Sequence, residues 1–258
     1  MKTIDTYSFT DEYQKKGYFK AGILTNQVPN FEDLLDENTE KVFEKDSETL
    51  RSVYCIHHNR AFKNWLSNQS VILSTVNSLI GNEFYLHQTK VNIKNQDETS
   101  VWPFHRDFPF WKHFDHIPEN KMLNVVVFLD DVDGDSGELE LVPGSHTEFL
   151  ERESEDEKVN YSLDGSASSD LLFDFTSEEI RYFKNKYGTE KITGNKGTVF
   201  FFNPDVIHGS ANSLKNFSRK ILILTFNSCS NLPLKKSMRP EYLCSTNYSP
   251  INWKIHSI

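Results

Sequence analysis

The sequence predicts a mainly β fold, a sandwich or barrel, with helices packed against the outside. Three observations predict it. Apolar residues recur with a helical period only over roughly the first eighty positions. From Phe84 onward the period drops to two. The later apolar runs are short and separated by turn-forming stretches such as Asp130 to Gly137 (DDVDGDSG) and Pro143-Gly144. The 258 residues suit a single domain that buries its own core. Within it, residues 1–82 are expected to be helical, 83–148 and 196–243 to form the β core, and 149–195 to be an insertion.

Taken in order, Phe9 to Gly17 reads as a short helix that starts near Thr10-Asp11 and is stopped by Gly17. Pro29 to about Asp46 reads as a second helix, because Phe31, Leu34, Leu35, Val42 and Phe43 lie roughly on one face. The third is the clearest: Phe62, Trp65, Leu66, Ile72, Leu73, Val76, Leu79 and Ile80 recur every three to four positions, and Gly81 closes the run. Strands follow at Phe84 to Lys94, Val101 to Arg106, Met122 to Leu129 and Leu139 to Val142. The Met122 run is apolar but for Asn124. Residues from about Glu151 to Asn195 break the pattern. Their first half is acidic and Ser-rich, and a capping box at Thr176 to Glu179 opens a helix to about Tyr187. This insertion is expected to be a mobile lid. Strands resume at Gly197 to Phe202, at Ile207, and at Arg219 to Phe226.

Composition narrows the function. The net charge of -9 gives nothing to phosphate counterion release, which argues against a nucleic-acid partner, and it disfavours an anionic membrane surface. Cys55, Cys229 and Cys244 are scattered and odd in number, so neither a disulfide framework nor a thiolate zinc site is expected. The N-terminal stretch has no apolar leader core, and no run of apolar residues is long enough for a membrane span. A cytoplasmic location is the expectation.

The chemistry concentrates in two places. His105-Arg106-Asp107 lies on or just past a strand, where residues two apart face the same way. His208-Gly209-Ser210 comes about a hundred residues later, beside another strand. Two imidazoles and one carboxylate on one face of an iron(II) ion leave three positions open, two for a chelating 2-oxo acid and one for O2. Arg219 opens an apolar strand eleven residues after His208. A cation facing a cavity is costly unless paired, and the distal carboxylate of a dicarboxylate is a fitting partner.

This arrangement resembles the phytanoyl-CoA dioxygenase (PhyH) family of iron(II)/2-oxoglutarate oxygenases, and within it the ectoine hydroxylases and free amino-acid hydroxylases such as leucine hydroxylase. The stretches that carry it are FYLHQTKVN, FHRDFPFW, LNVVVFLDDVDGDSGELELVPGSH, FFFNPDVIHGSANSLKNFSR and RPEYL. The resemblance implies a distorted double-stranded β-helix, a cupin-like jelly roll. It implies iron(II) held by His105, Asp107 and His208, with 2-oxoglutarate and O2 as co-substrates. Arg219 would pair with the distal carboxylate, Asn92 and Ser210 would hydrogen-bond the cosubstrate, and Trp102 and Trp111 would line the site. Gln88 and Arg239 would contact substrate. Related halogenases replace the carboxylate with a small residue, so Asp107 points to hydroxylation, with rearrangement or desaturation as alternatives. Phe110 stands where ectoine hydroxylases carry Thr, and the acidic insertion is not ectoine-like.

A free amino acid or similar metabolite fits best, its polar end at Gln88 and Arg239 and its apolar part against Phe104, Phe110 and Phe202. Ectoine-like, carrier-tethered and acyl-CoA substrates are alternatives, as is a binding protein without turnover. The remaining candidates read as structural. His113, Asp115 and His116 fall in an expected loop, at most a lid edge near the substrate. His57 and His58 are adjacent, so joint ligation is not expected. His146 reads as a turn residue, and His87 as packed or exposed. Asp130 to Asp135 reads as a solvated turn rather than a calcium loop, and Gly194 to Gly197 as a turn.

Overall fold

Strand Met122–Phe128 is buried at every position, which a strand achieves only when layers cover both faces of its sheet. The structure, a computed structural model, describes residues 6–24, 28–44, 48–95, 101–149, 175–214 and 218–252. Its strands are β1 (Tyr18–Ile23), β2 (Glu40–Phe43), β3 (Leu50–Tyr54), β4 (Phe84–Lys94), β5 (Trp102–His105), β6 (Met122–Phe128), β7 (Leu139–Leu141), β8 (Glu190–Ile192), β9 (Thr198–Phe202), β10 (His208–Ser210) and β11 (Arg219–Ser228). They form a seven-stranded major sheet, β1-β9-β6-β11-β4-β3-β2, and a four-stranded minor sheet, β5-β10-β7-β8. Every pairing is antiparallel.

The helices are α1 (Thr6–Lys16), α2 (Arg60–Ser67), α3 (Ser70–Ile80), α4 (Phe108–Phe114) and α5 (Ser177–Tyr187). Strand alternation sorts the core into two layers. Leu123, Val125 and Val127 of β6, Val199 and Phe201 of β9, and Leu222 and Leu224 of β11 pack against Phe62, Ile72, Leu73 and Val76 of α2 and α3. Val126, Phe128, Phe200, Phe202, Ile221 and Ile223 point the other way and meet Leu141 and Ile192 of the minor sheet. This is the jelly-roll sandwich with outer helices that the sequence predicts.

Several elements differ from expectation. The helix expected over 29–46 is a 3-10 turn, Glu32–Leu34, followed by edge strand β2. A side-chain turn separates them: Asn38 N donates to Asp36 Oδ1 at 2.9 Å, and Thr39 Oγ1 to Asp36 O at 2.7 Å. With β1 and β3, three strands of the major sheet therefore come from the first eighty residues. The single helix read over 62–80 is two helices. Asn68 and Gln69 break it by donating their side-chain amides back to Asn64 O at 2.7 Å and Trp65 O at 3.2 Å. The loop expected at His113 is the end of α4, and Asp115 caps it. The capping box at Thr176 and Glu179 forms as expected. The helix it opens buries Phe183 against Val142 and Ile207, while residues 150–174 of the expected lid lie outside the described residues.

Gly17 joins this scaffold to the site. Its φ is +78°, and a Cβ there would lie 2.3 Å from Val206 Cγ2 and 2.5 Å from His146 Nδ1. Its carbonyl accepts from Asn203 N at 2.7 Å, which fixes the end of α1 to the turn leading into β10. Gly17→Ala is expected to lose about 1–3 kcal/mol of stability in urea unfolding. A wild-type midpoint would contradict the fit.

Candidate active site

The triad forms where the minor sheet meets α4. His105 is the last residue of β5, and His208, the first of β10, is its direct cross-strand partner. Their rings are 4.3 Å apart. Asp107 is not on the strand. It has helical dihedrals and stands at the N-terminal boundary of α4, so the chain turns the carboxylate back over the two rings. His105 Nε2 lies 3.5 Å from Asp107 Oδ1, and His208 Nε2 3.7 Å from Asp107 Oδ2. One donor atom from each residue falls within a common span of 4.8 Å. Arg106 points away, donating to Ser145 O at 2.7 Å and to Glu148 O at 2.5 Å, which ties the tripeptide to the Pro143-Gly144-Ser145 turn.

Tautomers are set by the backbone. His105 Nδ1 is 2.7 Å from Pro103 O, and His208 Nδ1 is 2.9 Å from Val206 O. A carbonyl only accepts, so each Nδ1 carries a proton and each Nε2 is the nitrogen turned toward Asp107. Burial and the neighbouring His105 push His208 down to about 4, so its ring is neutral near pH 7. Burial opposes a charge on Asp107, yet its polar surroundings hold the carboxyl below the usual range. A half-buried carboxylate facing two imidazole Nε2 atoms is the donor set of a divalent metal centre, and the residues fit one. The polar break in β6 also finds its reason here. Asn124 Nδ2 donates to Asp107 Oδ2 at 2.6 Å, and Asn124 Oδ1 accepts from Thr225 Oγ1 at 2.7 Å.

A cavity opens over the triad, and β4 and β11 form its floor. Gln88, Lys90, Asn92 and Lys94 all line it, as alternation along β4 requires. Sequence reading missed Lys90 and Lys94, although placing Gln88 and Asn92 in the site put both lysines on the same face. Arg219 sits opposite Lys94 across β4 and β11 and is 2% exposed. Its Nε and Nη2 donate to the carbonyls of Ser136 and Gly137, so the acidic turn expected to be merely solvated also positions this guanidinium. Burial and the adjacent Arg219 lower Lys94 to about 6. Ser210 and Trp102 border this end, and the Arg51 guanidinium covers the indole at 3.9 Å.

At the other end lie Gln88, Arg239, Phe110, Trp111 and Phe202, the set the sequence proposed for substrate. Phe202 packs on His208 at 4.9 Å and Phe110 on His105 at 6.4 Å. Phe104 is a correction. It turns outward to pack with Val142, Phe183 and Ile207, because it precedes His105 on the strand and takes the opposite face. His57 and His58 border a separate groove, and His146 bonds Gln14 O at 3.1 Å as a structural residue. His87 is buried, with Nε2 2.9 Å from Asp115 Oδ2. The three cysteines are unpaired. Among the described residues no helix is long and apolar enough to cross a membrane.

Comparison with known proteins agrees with this geometry. The family model for phytanoyl-CoA dioxygenase (PhyH) matches residues 13–221. The chain is 29% identical over 218 residues to an L-proline trans-4-hydroxylase of Streptomyces griseoviridis, covering 84% of this chain and 81% of the relative. It is 30% identical over 223 residues to an ectoine dioxygenase of Nocardia farcinica, covering 84% and 74%. The crystal structure of EctD from S. alaskensis with 2-oxoglutarate and 5-hydroxyectoine shares the fold, with a TM-score of 0.74 at 23% identity over 97% of this chain and 88% of that one. The same protein with bound Fe gives 0.74 at 22%, over 98% and 90%. With the family match spanning most of the sequence, the chain belongs to the phytanoyl-CoA dioxygenase (PhyH) family.

Proposed function

We propose that this chain is a non-haem iron(II)- and 2-oxoglutarate-dependent dioxygenase that hydroxylates a free amino acid or a small amino-acid derivative. The observation that carries the reading is the His105, Asp107 and His208 donor set, tautomer-fixed and opening into a cavity with Arg219 at its far end. The relatives named above act on L-proline and on ectoine, small molecules of the proposed class.

When bound, iron(II) with 2-oxoglutarate and O2 supplies the oxidation of an unactivated C–H bond, and succinate and CO2 leave. The residues do the rest. Asn124 orients the Asp107 carboxylate, and the Pro103 and Val206 carbonyls orient the imidazoles. Arg219 and Lys94 seat the distal carboxylate of 2-oxoglutarate. Asn92 and Ser210 hydrogen-bond its body, and Trp102 walls it. Gln88 and Arg239 hold the carboxylate of the substrate, which turns its carbon chain toward the triad. Phe110, Trp111 and Phe202 exclude water around it. A compact acid suits this slot, since cations stand at both ends and aromatic rings in between.

The direct test is succinate formation with added iron(II), read over the twenty amino acids and ectoine by a mass gain of one oxygen. At least one compound is expected to gain oxygen, and His105→Ala is expected to abolish it. Succinate release by His105→Ala at the wild-type rate would contradict the ligand assignment. Asn124→Leu is expected to weaken iron(II) affinity roughly ten- to hundredfold in anaerobic chelator competition, as loss of a partner to a ligand does. Wild-type affinity there would remove Asn124 from the metal centre.

A further inference from the structure

The inner face of β4 turns Gln88, Lys90, Asn92 and Lys94 to the cavity, successive side chains standing about 7 Å apart along the strand. Gln88, Asn92 and Lys94 have partners in the proposed complex, and Lys90 has none. It is half-buried, opposite Tyr54 on β3 and Ile223 on β11. Its Nζ lies 6.0 Å from the centre of the Trp102 ring. Among the described residues no oxygen accepts a hydrogen bond from it. A half-buried amine without an acceptor costs the fold unless a ligand supplies one. The charges around it put this amine in the substrate half of the cavity. Burial pushes its proton affinity down, Asp107 pushes it up, and Arg239 and Arg51 push it down again. Lys94, four residues on, answers after burial to Arg219, Arg51 and Glu44 instead. The neighbours of Lys90 at this end are held by the protein. Arg239 Nε donates to Asp115 Oδ1 at 2.8 Å, and its Nη2 donates to Asp115 Oδ2 and to Leu243 O at 3.2 Å. Gln88 Nε2 donates to the same Leu243 carbonyl at 2.7 Å. Arg239 thus gives this end a positive potential, Gln88 borders it, and Lys90 adds donors that no protein oxygen takes.

We propose that Lys90 anchors the carboxylate of the substrate: its amine donates to that group beside Gln88 and Arg239, and so sets how far the carbon chain reaches toward the triad. This rests on the amino-acid reading above and adds to it the residue that selects for a free acid. A carboxylate in contact favours the charged amine and gives it the acceptor that the protein does not. Lysine suits the task because its flexible stem carries one compact charge that can follow acids of different shape.

The experiment compares wild type, K90M and K90R on the amino acid or derivative that wild type oxidises fastest and on its carboxamide. K90M keeps the apolar stem and removes the donors, whereas K90R keeps a charged donor. K90M is expected to raise KM for the acid about tenfold or more, and to cut the preference for acid over carboxamide in kcat/KM by a similar factor, the loss of one charged hydrogen bond. K90R is expected to keep most of that preference. KM for 2-oxoglutarate and anaerobic iron(II) affinity are expected to stay within about twofold of wild type in both variants. The urea midpoint of K90M is expected at or above that of wild type, because a half-buried amine without a protein acceptor is gone. A preference for the acid that survives in K90M, or a rise in KM for 2-oxoglutarate in place of the acid, overturns the anchor and leaves the amino-acid reading standing. A K90M protein that fails to fold or to take up iron does the same, since Lys90 would then serve the fold or Asp107. A wild-type enzyme indifferent to the carboxylate overturns both.

Discussion

The site depends on one backbone pairing, His105 opposite His208 across β5 and β10. Antiparallel pairing brings side chains from positions far apart in sequence to within contact and fixes their register. Only then does the change from strand to helix at Asp107 have two rings to close over. The sandwich serves this arrangement. The major sheet contributes Asn124 and Thr225 from below, and its apolar rows keep that polar string at the one place where a carboxylate uses it.

Charge is distributed along the cavity with a direction. Lys94 and Arg219 stand at one end, Arg239 at the other, and Asp107 with the imidazoles between them. The buried groups are handled by different devices: turn carbonyls hold Arg219, a buried carboxylate holds Arg239, and burial beside Arg219 lowers the proton affinity of Lys94. A slot of this kind favours two small acids lying head to tail over one polyanion, which sets the proposed substrate apart from an acyl-CoA thioester.

Much of this was legible in the sequence. Phe84 to Lys94 and Arg219 to Phe226 are largely buried strands, the first legible from its period of two and the second from its apolar run. His105, Asp107, His208 and Arg219 stood out because polar groups at strand ends beside apolar runs need a reason to be there. What escaped had weaker signals. Strands β1, β2 and β3 are four to six residues of mixed polarity at or next to the edges of the major sheet, where pairing with a neighbour decides the conformation more than propensity does. Lys90 and Lys94 went unread because lysine usually faces solvent, and alternation with Gln88 and Asn92 was the overlooked signal. Asp115 was read with His113 and His116 as part of a loop, since its partners His87, Ser237 and Arg239 are assembled only by the fold.

The central claim is that this donor set takes up a ferrous ion and that the ion and Arg219 together bind 2-oxoglutarate. Anaerobic titration of the metal-free protein with iron(II) and then 2-oxoglutarate measures it directly, through the visible charge-transfer band of a chelated 2-oxo acid. The account predicts one iron per chain and a band that saturates at one equivalent of 2-oxoglutarate. Stoichiometric iron uptake with no band, or no iron uptake at all, would contradict it.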